Sequence, residues 1–116
     1  MKVRKLTLAD AAMERSPGQD ADIFTGNLVD ERHGGPVTIG YGRWGPDQTL
    51  SETMAVHDVM IVLEGRLSVS SADGEVTAGP GEIVYMPTGE TVTIRAHESG
   101  ATTAYVTHPH WRTAGA

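Results

Sequence analysis

The chain has 116 residues, which corresponds to one domain with a modest core, and its composition excludes several classes of protein. It contains no cysteine, so disulfides, thiolate metal sites and a cysteine nucleophile are excluded. The net charge is −6, no Lys/Arg cluster follows the first five residues, and no apolar run approaches the roughly 20 residues of a membrane helix. We therefore expect a cytoplasmic protein with neither nucleic-acid nor membrane partners.

The N-terminal part of the chain contains the only sequence that predicts a helix. Thr7 is suited to be its N-cap, Asp10 lies where a carboxylate meets the positive end of a helix, and Ser16-Pro17-Gly18 ends it after about two turns. A helix this short does not hold alone, so we expect it to dock on a larger body. We divide the chain into an N-terminal segment (1–20), a β-barrel domain (21–112) and a flexible tail (113–116).

The remaining sequence predicts roughly nine or ten short strands separated by Gly, Pro and Asp turns. Residues 37–44 alternate, and Gly40 and Gly42 leave one face of this strand bare, so that a neighbouring side chain or a ligand can approach the backbone. Residues 57–87 contain four runs with strand character, the first two separated by a predicted turn at Glu64-Gly65. Evenly spaced short strands indicate an all-β sandwich or barrel.

Two of these runs resemble the two motifs of the cupin family. They are Asp58 to Leu67, which contains VLEG, and Ala78 to Gly89, in which Gly81, five residues, Pro87, one residue and Gly89 match the second motif. The resemblance covers residues 37–108 and is greatest to the ethanolamine utilization protein EutQ group. It implies a single RmlC-like jelly-roll barrel, a double-stranded β-helix with one short N-terminal helix, that pairs as a homodimer.

Metal-binding cupins use three His and one carboxylate to hold a divalent ion. Carried over by the resemblance, the carboxylate position falls on Asp58, the first two His positions fall near 51–52 and 53–54, and the last falls on Val92, a hydrocarbon. We therefore expect no cofactor. A divalent metal would require a non-standard set drawn from His57, Asp58, His108 and His110.

Strand alternation directs a set of apolar side chains into the barrel, with Asp58 at its mouth, which describes a largely apolar pocket for a small molecule. The alternative is that these residues only fill the core. The predicted pocket comprises Glu52, Asp58, Met60, Val62, Tyr85, Val92, Ile94 and Tyr105.

Three functions stay open at the level of sequence. The first is a small-molecule-binding cupin without most of the usual metal ligands, accessory to the catabolism of ethanolamine or another amine. The second is a metal-dependent dioxygenase, isomerase or lyase with non-standard ligands, and the third is a dimeric structural module without a ligand. Asp58 and His57 are the candidate catalytic residues; they point to opposite faces of a regular strand, and a bulge would be needed to make them a His–carboxylate base.

Overall fold

The computed structural model describes residues 3–114, and strands make up most of it. The outer residues of the predicted terminal segments (1–2 and 115–116) lie outside the described range. None of the helices in residues 3–114 is long and apolar enough to cross a membrane. The elements are β1 (Glu14–Arg15), β2 (Ile23–Val29), β3 (Thr38–Trp44), β4 (Thr49–Thr53), β5 (His57–Ser71), β6 (Gly74–Ala78), β7 (Ile83–Met86), β8 (Thr91–His108) and α1 (Trp111–Ala114), with 3-10 turns at Leu8–Asp10 and Glu31–His33.

The strands form two antiparallel layers that share the two long strands β5 and β8. In the first layer the order is β1, β2, β3, the C-terminal half of β8, the N-terminal half of β5, and β7. In the second layer the order is β4, the N-terminal half of β8, the C-terminal half of β5, and β6. This arrangement confirms the predicted all-β jelly roll.

The predicted turn at Glu64-Gly65 is a bend within one continuous strand. The β5–β8 register shifts between Val62 and Glu64 and again between Gly65 and Leu67, so each strand crosses from one layer to the other there. Gly65 and Gly100 have φ of 77° and 71°, a conformation that a residue with a Cβ seldom adopts. The sequence signal for a break was therefore correct, but tertiary pairing converts the break into a bend between the two layers. Residues 3–114 accordingly contain eight strands, where nine or ten were predicted.

The bare face of β3 is the inner face of the first layer. Thr38, Gly40, Gly42 and Trp44 are buried, whereas Tyr41 on the other face is half-buried. An ideal Cβ on Gly40 would lie 2.6 Å from the hydroxyl oxygen of Tyr105, its register partner on β8. At this position the glycine thus admits a neighbouring side chain, which is one of the two alternatives predicted for it.

The N-terminal helix is shorter than predicted. It is the single 3-10 turn Leu8–Asp10, in which the Asp10 carboxylate accepts hydrogen bonds from the Thr7 backbone N–H and hydroxyl, both at 2.9 Å. Glu14–Arg15 then pairs with β2 as an edge strand.

The core lies between the two layers. Val62, Leu67 and Ala96 are fully buried, and they come from both long strands. The three buried methionines, Met54, Met60 and Met86, lie towards one end of this core, where the packing opens into a cavity.

Candidate functional site

One end of the barrel holds a cavity of about 740 Å³. Its size falls in the range of small-molecule sites. Every layer contributes to its wall, and the N-terminal segment (Ser16–Gly18) and helix α1 border it. The wall side chains that carry chemistry are Glu52, Asp58, Thr103, Tyr105, Thr107 and Arg112, and its aromatic and large apolar side chains are Trp44, Leu50, Met54, Met60, Met86, Ile94 and Trp111.

Asp58 is the polar residue of this wall whose hydrogen-bonding capacity is least satisfied. Its position on β5 opposite Thr107 and Met86 turns the side chain inwards, on the same face as Met60. The carboxylate Oδ1 is buried and has no hydrogen-bond partner within residues 3–114. Burial raises the pKa of Asp58 from its ordinary 3.8 to about 7, and the negative charge of Glu52 adds to the rise.

Glu52 supplies a second carboxyl group to the cavity. It lies on β4, opposite Val92 of β8, and although the residue as a whole is exposed, burial of its carboxyl raises its pKa. Two acidic groups with raised pKa values therefore face one space. Such pairs are common at functional sites because each group disfavours the ionisation of the other.

A hydrogen-bonded cluster around Asn27 holds two residues of the cavity wall, Tyr105 and Trp111. The Asn27 amide oxygen accepts from the Tyr105 hydroxyl at 2.5 Å and from the indole N–H of Trp111 at 3.0 Å. Tyr105 is 6 % exposed, and its burial raises the pKa of the phenol, so it stays protonated at neutral pH. The Tyr105 hydroxyl is thus already hydrogen-bonded to Asn27, and the bond of Trp111 to the same residue holds helix α1 against the cavity.

His110 holds the C-terminal segment in place and does not face the cavity. Its Nε2–H donates to the Gly35 carbonyl at 2.8 Å, and its Nδ1 lies within hydrogen-bond distance, 2.7 Å, of the Thr38 hydroxyl oxygen. The first bond requires a proton on Nε2, because a carbonyl oxygen only accepts. His110 therefore has a structural role, because its two bonds position the residues that lead into α1, and with them Trp111.

Among the predicted pocket residues, Glu52, Asp58, Met60, Ile94 and Tyr105 lie in the cavity wall, and three do not. Val62 and Val92 are buried in the core behind the wall. Tyr85 belongs to the outer face of β7 and is 58 % exposed, because strand alternation turns Val84 and Met86 inwards instead.

His57 and Asp58 do not form a pair. His57 is exposed on the outer face, where its Nδ1 lies 3.0 Å from the Tyr85 hydroxyl, and its register partner on β8 is His108. No bulge occurs between residues 57 and 62 of the β5–β8 pairing, so the alternation of a regular strand holds there. The bulge that a His–carboxylate base would have needed is therefore absent, and Asp58 remains the candidate for acid–base chemistry.

The residues at the family's metal positions do not fit a metal ion. Val92 is a buried hydrocarbon, and His57, His108 and His110 face away from Asp58. Across residues 3–114 no group of three or more His, Cys, Asp or Glu side chains could hold an ion. The donor set at this cavity consists of Asp58 and Glu52 with hydroxyl groups.

A second depression, of about 620 Å³, lies on the outer face near the strand corners. Phe24, Arg43, Glu64 and Thr102 border it, and their register on β2, β3, β5 and β8 places them together. Neither of the buried unpartnered polar atoms found within residues 3–114 borders it. The barrel cavity is the better candidate site.

Sequence reasoning missed Asn27, Trp44, Thr103, Thr107 and Trp111. For Thr103 and Thr107 the strand alternation that includes Tyr105 was a usable signal. The contacts of Asn27 with Tyr105 and Trp111 cross 78 and 84 residues of sequence, and no local pattern predicts them.

Residues 16–109 match the AraC-binding-like domain. The chain belongs to this family of cupin-like domains. A search of curated protein sequences gave no significant match.

Solved structures share the fold. A crystal structure of a protein of unknown function from Rhizobium leguminosarum bv. viciae 3841 is 66 % identical, with 95 % of this chain and 100 % of that one covered and a TM-score of 0.80. A putative ethanolamine utilization protein EutQ from Salmonella typhimurium LT2 is 23 % identical over 84 % of this chain and 79 % of its own, with a TM-score of 0.74. EutQ from Clostridium difficile is 20 % identical over 92 % and 81 %, with a TM-score of 0.76. The predicted resemblance to a small cupin of the EutQ type is confirmed.

Proposed function

We propose that this chain is a small-molecule-binding cupin whose ligand occupies the cavity at the Asp58 end of the barrel. The observation that carries the proposal is the buried Oδ1 of Asp58, which faces a space of about 740 Å³ without a hydrogen-bond partner in residues 3–114. An unsatisfied buried acceptor costs about 1–3 kcal/mol, so a fold keeps one where a ligand or water completes it.

The same proposal includes an accessory role in the catabolism of an amine such as ethanolamine. Its support is the fold shared with the two EutQ structures, together with the two carboxyl groups of the cavity. Ethanolamine therefore belongs in any set of candidate ligands.

The test of binding is a thermal-shift screen of small cations, anions and neutral molecules against wild type and Ala55→Trp. Ala55 is an exposed residue of the cavity wall, so an indole there fills the mouth and leaves the core unchanged. Ala72→Trp, at an exposed turn between β5 and β6, is the matched control. Compounds that stabilise wild type and Ala72→Trp but not Ala55→Trp support the proposal. If Ala55→Trp responds like the other two proteins, the cavity is not the binding site.

A general acid–base reaction is the second candidate, because a carboxyl group with a pKa near 7 exchanges protons readily at neutral pH. The residue that would carry it is Asp58 alone, since His57 lies on the outer face. Once a ligand has been found, hydrogen–deuterium exchange into its carbon-bound positions, followed by NMR, tests this function. Exchange that Asp58→Asn does not slow would refute it.

The homodimer implied by the resemblance stays a prediction. The exposed side chains of Ile83 and Tyr85 make edge strand β7 the place where a second copy would pair. Light scattering after size exclusion should give the mass of a dimer for wild type and of a monomer for Ile83→Lys. A wild-type monomer at micromolar concentration would contradict the prediction.

A further inference from the structure

We propose that the ligand of this cavity is an organic cation, an amine or ammonium group on an apolar body, with Asp58 as its counter-ion. The inference rests on the proposed function, because it names the class of ligand that the same cavity binds.

The charged groups of the wall favour a cation. Within the described chain they are Asp58 and Glu52, which are acidic, and Arg112, which is basic. Arg112 lies on the exposed helix α1, where solvent screens its charge, whereas the Asp58 Oδ1 is buried. A positive ligand would therefore meet an unscreened carboxyl inside the cavity.

The hydrogen-bond inventory of the wall points the same way. The Tyr105 hydroxyl and the Trp111 indole N–H both donate to Asn27, and the Thr107 hydroxyl donates to the Pro109 carbonyl at 3.1 Å. Three donors that could have bound an anion are thus already used, and the remaining wall donors are the Thr103 hydroxyl, which can also accept, and the solvent-exposed Arg112. The acceptor Oδ1 of Asp58 is free in residues 3–114, and a ligand that pairs with the ionised carboxylate donates a hydrogen bond to it, as an alkylammonium does.

The apolar part of the wall suits the rest of such a ligand. Trp44, Tyr105 and Trp111 offer aromatic rings, whose faces attract organic cations. Met54, Met60 and Met86 form an adaptable apolar surface that can accept bodies of different shape. The cavity is also much larger than an ammonium group, so the favoured ligand carries an apolar group beside its charge.

Because Asp58 must be ionised to act as a counter-ion, the affinity of the cavity for a cation should depend on pH. The other titratable groups of the wall are Glu52 from β4, Tyr105 from β8 and Arg112 from α1, while β2, β3 and β7 contribute uncharged residues. A cation binds the ionised carboxylate, so its affinity should rise about tenfold per pH unit up to about pH 7 and then level off. A neutral ligand that accepts a hydrogen bond from the protonated carboxyl of Asp58 would show the opposite slope.

The experiment is isothermal titration calorimetry with three probes that share one carbon skeleton: 3-phenylpropan-1-amine, 3-phenylpropan-1-ol and 3-phenylpropanoate. We expect the amine to bind at least about tenfold more tightly than the alcohol at about pH 8, and the anion more weakly than either. Amine affinity should fall at lower pH, while alcohol affinity stays constant.

Two variants separate the role of Asp58 from general charge effects. Asp58→Asn should remove the preference for the amine over the alcohol and flatten the pH dependence of amine affinity. Asp73→Asn changes the net charge equally at an exposed turn and should retain both.

Equal binding of amine and alcohol, tighter binding of the anion, or an unchanged preference in Asp58→Asn would overturn the cation inference and leave the proposed function standing. If none of the three probes binds the wild type, the cation inference is refuted, whereas the proposed function is refuted only if the thermal-shift screen also finds no compound that distinguishes wild type from Ala55→Trp.

Discussion

Replacing Asp58 with Asn should make the unliganded protein more stable at high pH. The folded-state pKa of Asp58 is raised, so its contribution to stability is fully present below its unfolded pKa of 3.8 and is lost as the pH rises through about 7. Asn carries no charge at any pH and keeps nearly the same shape. The variant should therefore match wild type at about pH 4 and exceed it at about pH 8.

The magnitude follows from the size of the pKa change. Each pH unit between 3.8 and about 7 corresponds to about 1.4 kcal/mol, which gives an upper limit of about 4 kcal/mol. Because the cavity is open and the residue as a whole is only partly buried, water reduces this, and we expect about 2 kcal/mol or more.

Urea unfolding followed by circular dichroism at about pH 4, 6 and 8 measures this effect, with Asp73→Asn as the control. The exposed turn of Asp73 predicts a stability curve parallel to that of wild type. A difference between Asp58→Asn and wild type that is independent of pH would refute the reasoning, since it would mean that Asp58 ionises as it does in water.

Three further predictions concern the fold and can be read from urea unfolding. Gly40→Ala should destabilise the protein by about 2 kcal/mol or more, because its Cβ would lie 2.5 Å from a backbone oxygen and 2.6 Å from the Tyr105 hydroxyl. The control Gly35→Ala, with open space around it, should change stability by less than about 0.5 kcal/mol. Tyr105→Phe should cost about 1 kcal/mol through the lost bond to the Asn27 amide oxygen and should loosen α1, seen as faster proteolysis after residue 110. The fully buried Asp30 is paired with Arg32 at 2.7 Å, which holds the pKa of Asp30 well below its usual range. The stability that this pair contributes should be present above about pH 4 and should be lost on acidification. Asp30→Asn should therefore lose less stability than wild type when the pH is lowered.

The sequence by itself determined the class of fold and identified several residues of the cavity wall. Regular punctuation by Gly and Pro with alternating apolar residues is compatible only with many strands, and this required no knowledge of the partners of each strand. Alternation also placed Asp58 and Met60 on one face, and the resemblance assigned the hydrocarbon Val92 to the family's last His position.

Only the tertiary structure decided which breaks are turns and which face of a strand is inside. Gly65 permits a positive φ in a hairpin and in a bend alike, and the pairing with Ala101 of β8 makes it a bend. Alternation likewise shows that Tyr85 and Met86 face opposite ways, but not which of them meets the core.

The state of Asp58 also lies beyond the sequence. Its raised pKa comes from burial and from Glu52 on another strand, and the bonds that hold Trp111 over the cavity join residues 84 apart. Burial and charge coupling depend on distances in the folded chain, whereas strand alternation depends only on neighbouring residues. For this reason the sequence placed the carboxyl group and only the fold determined its chemistry.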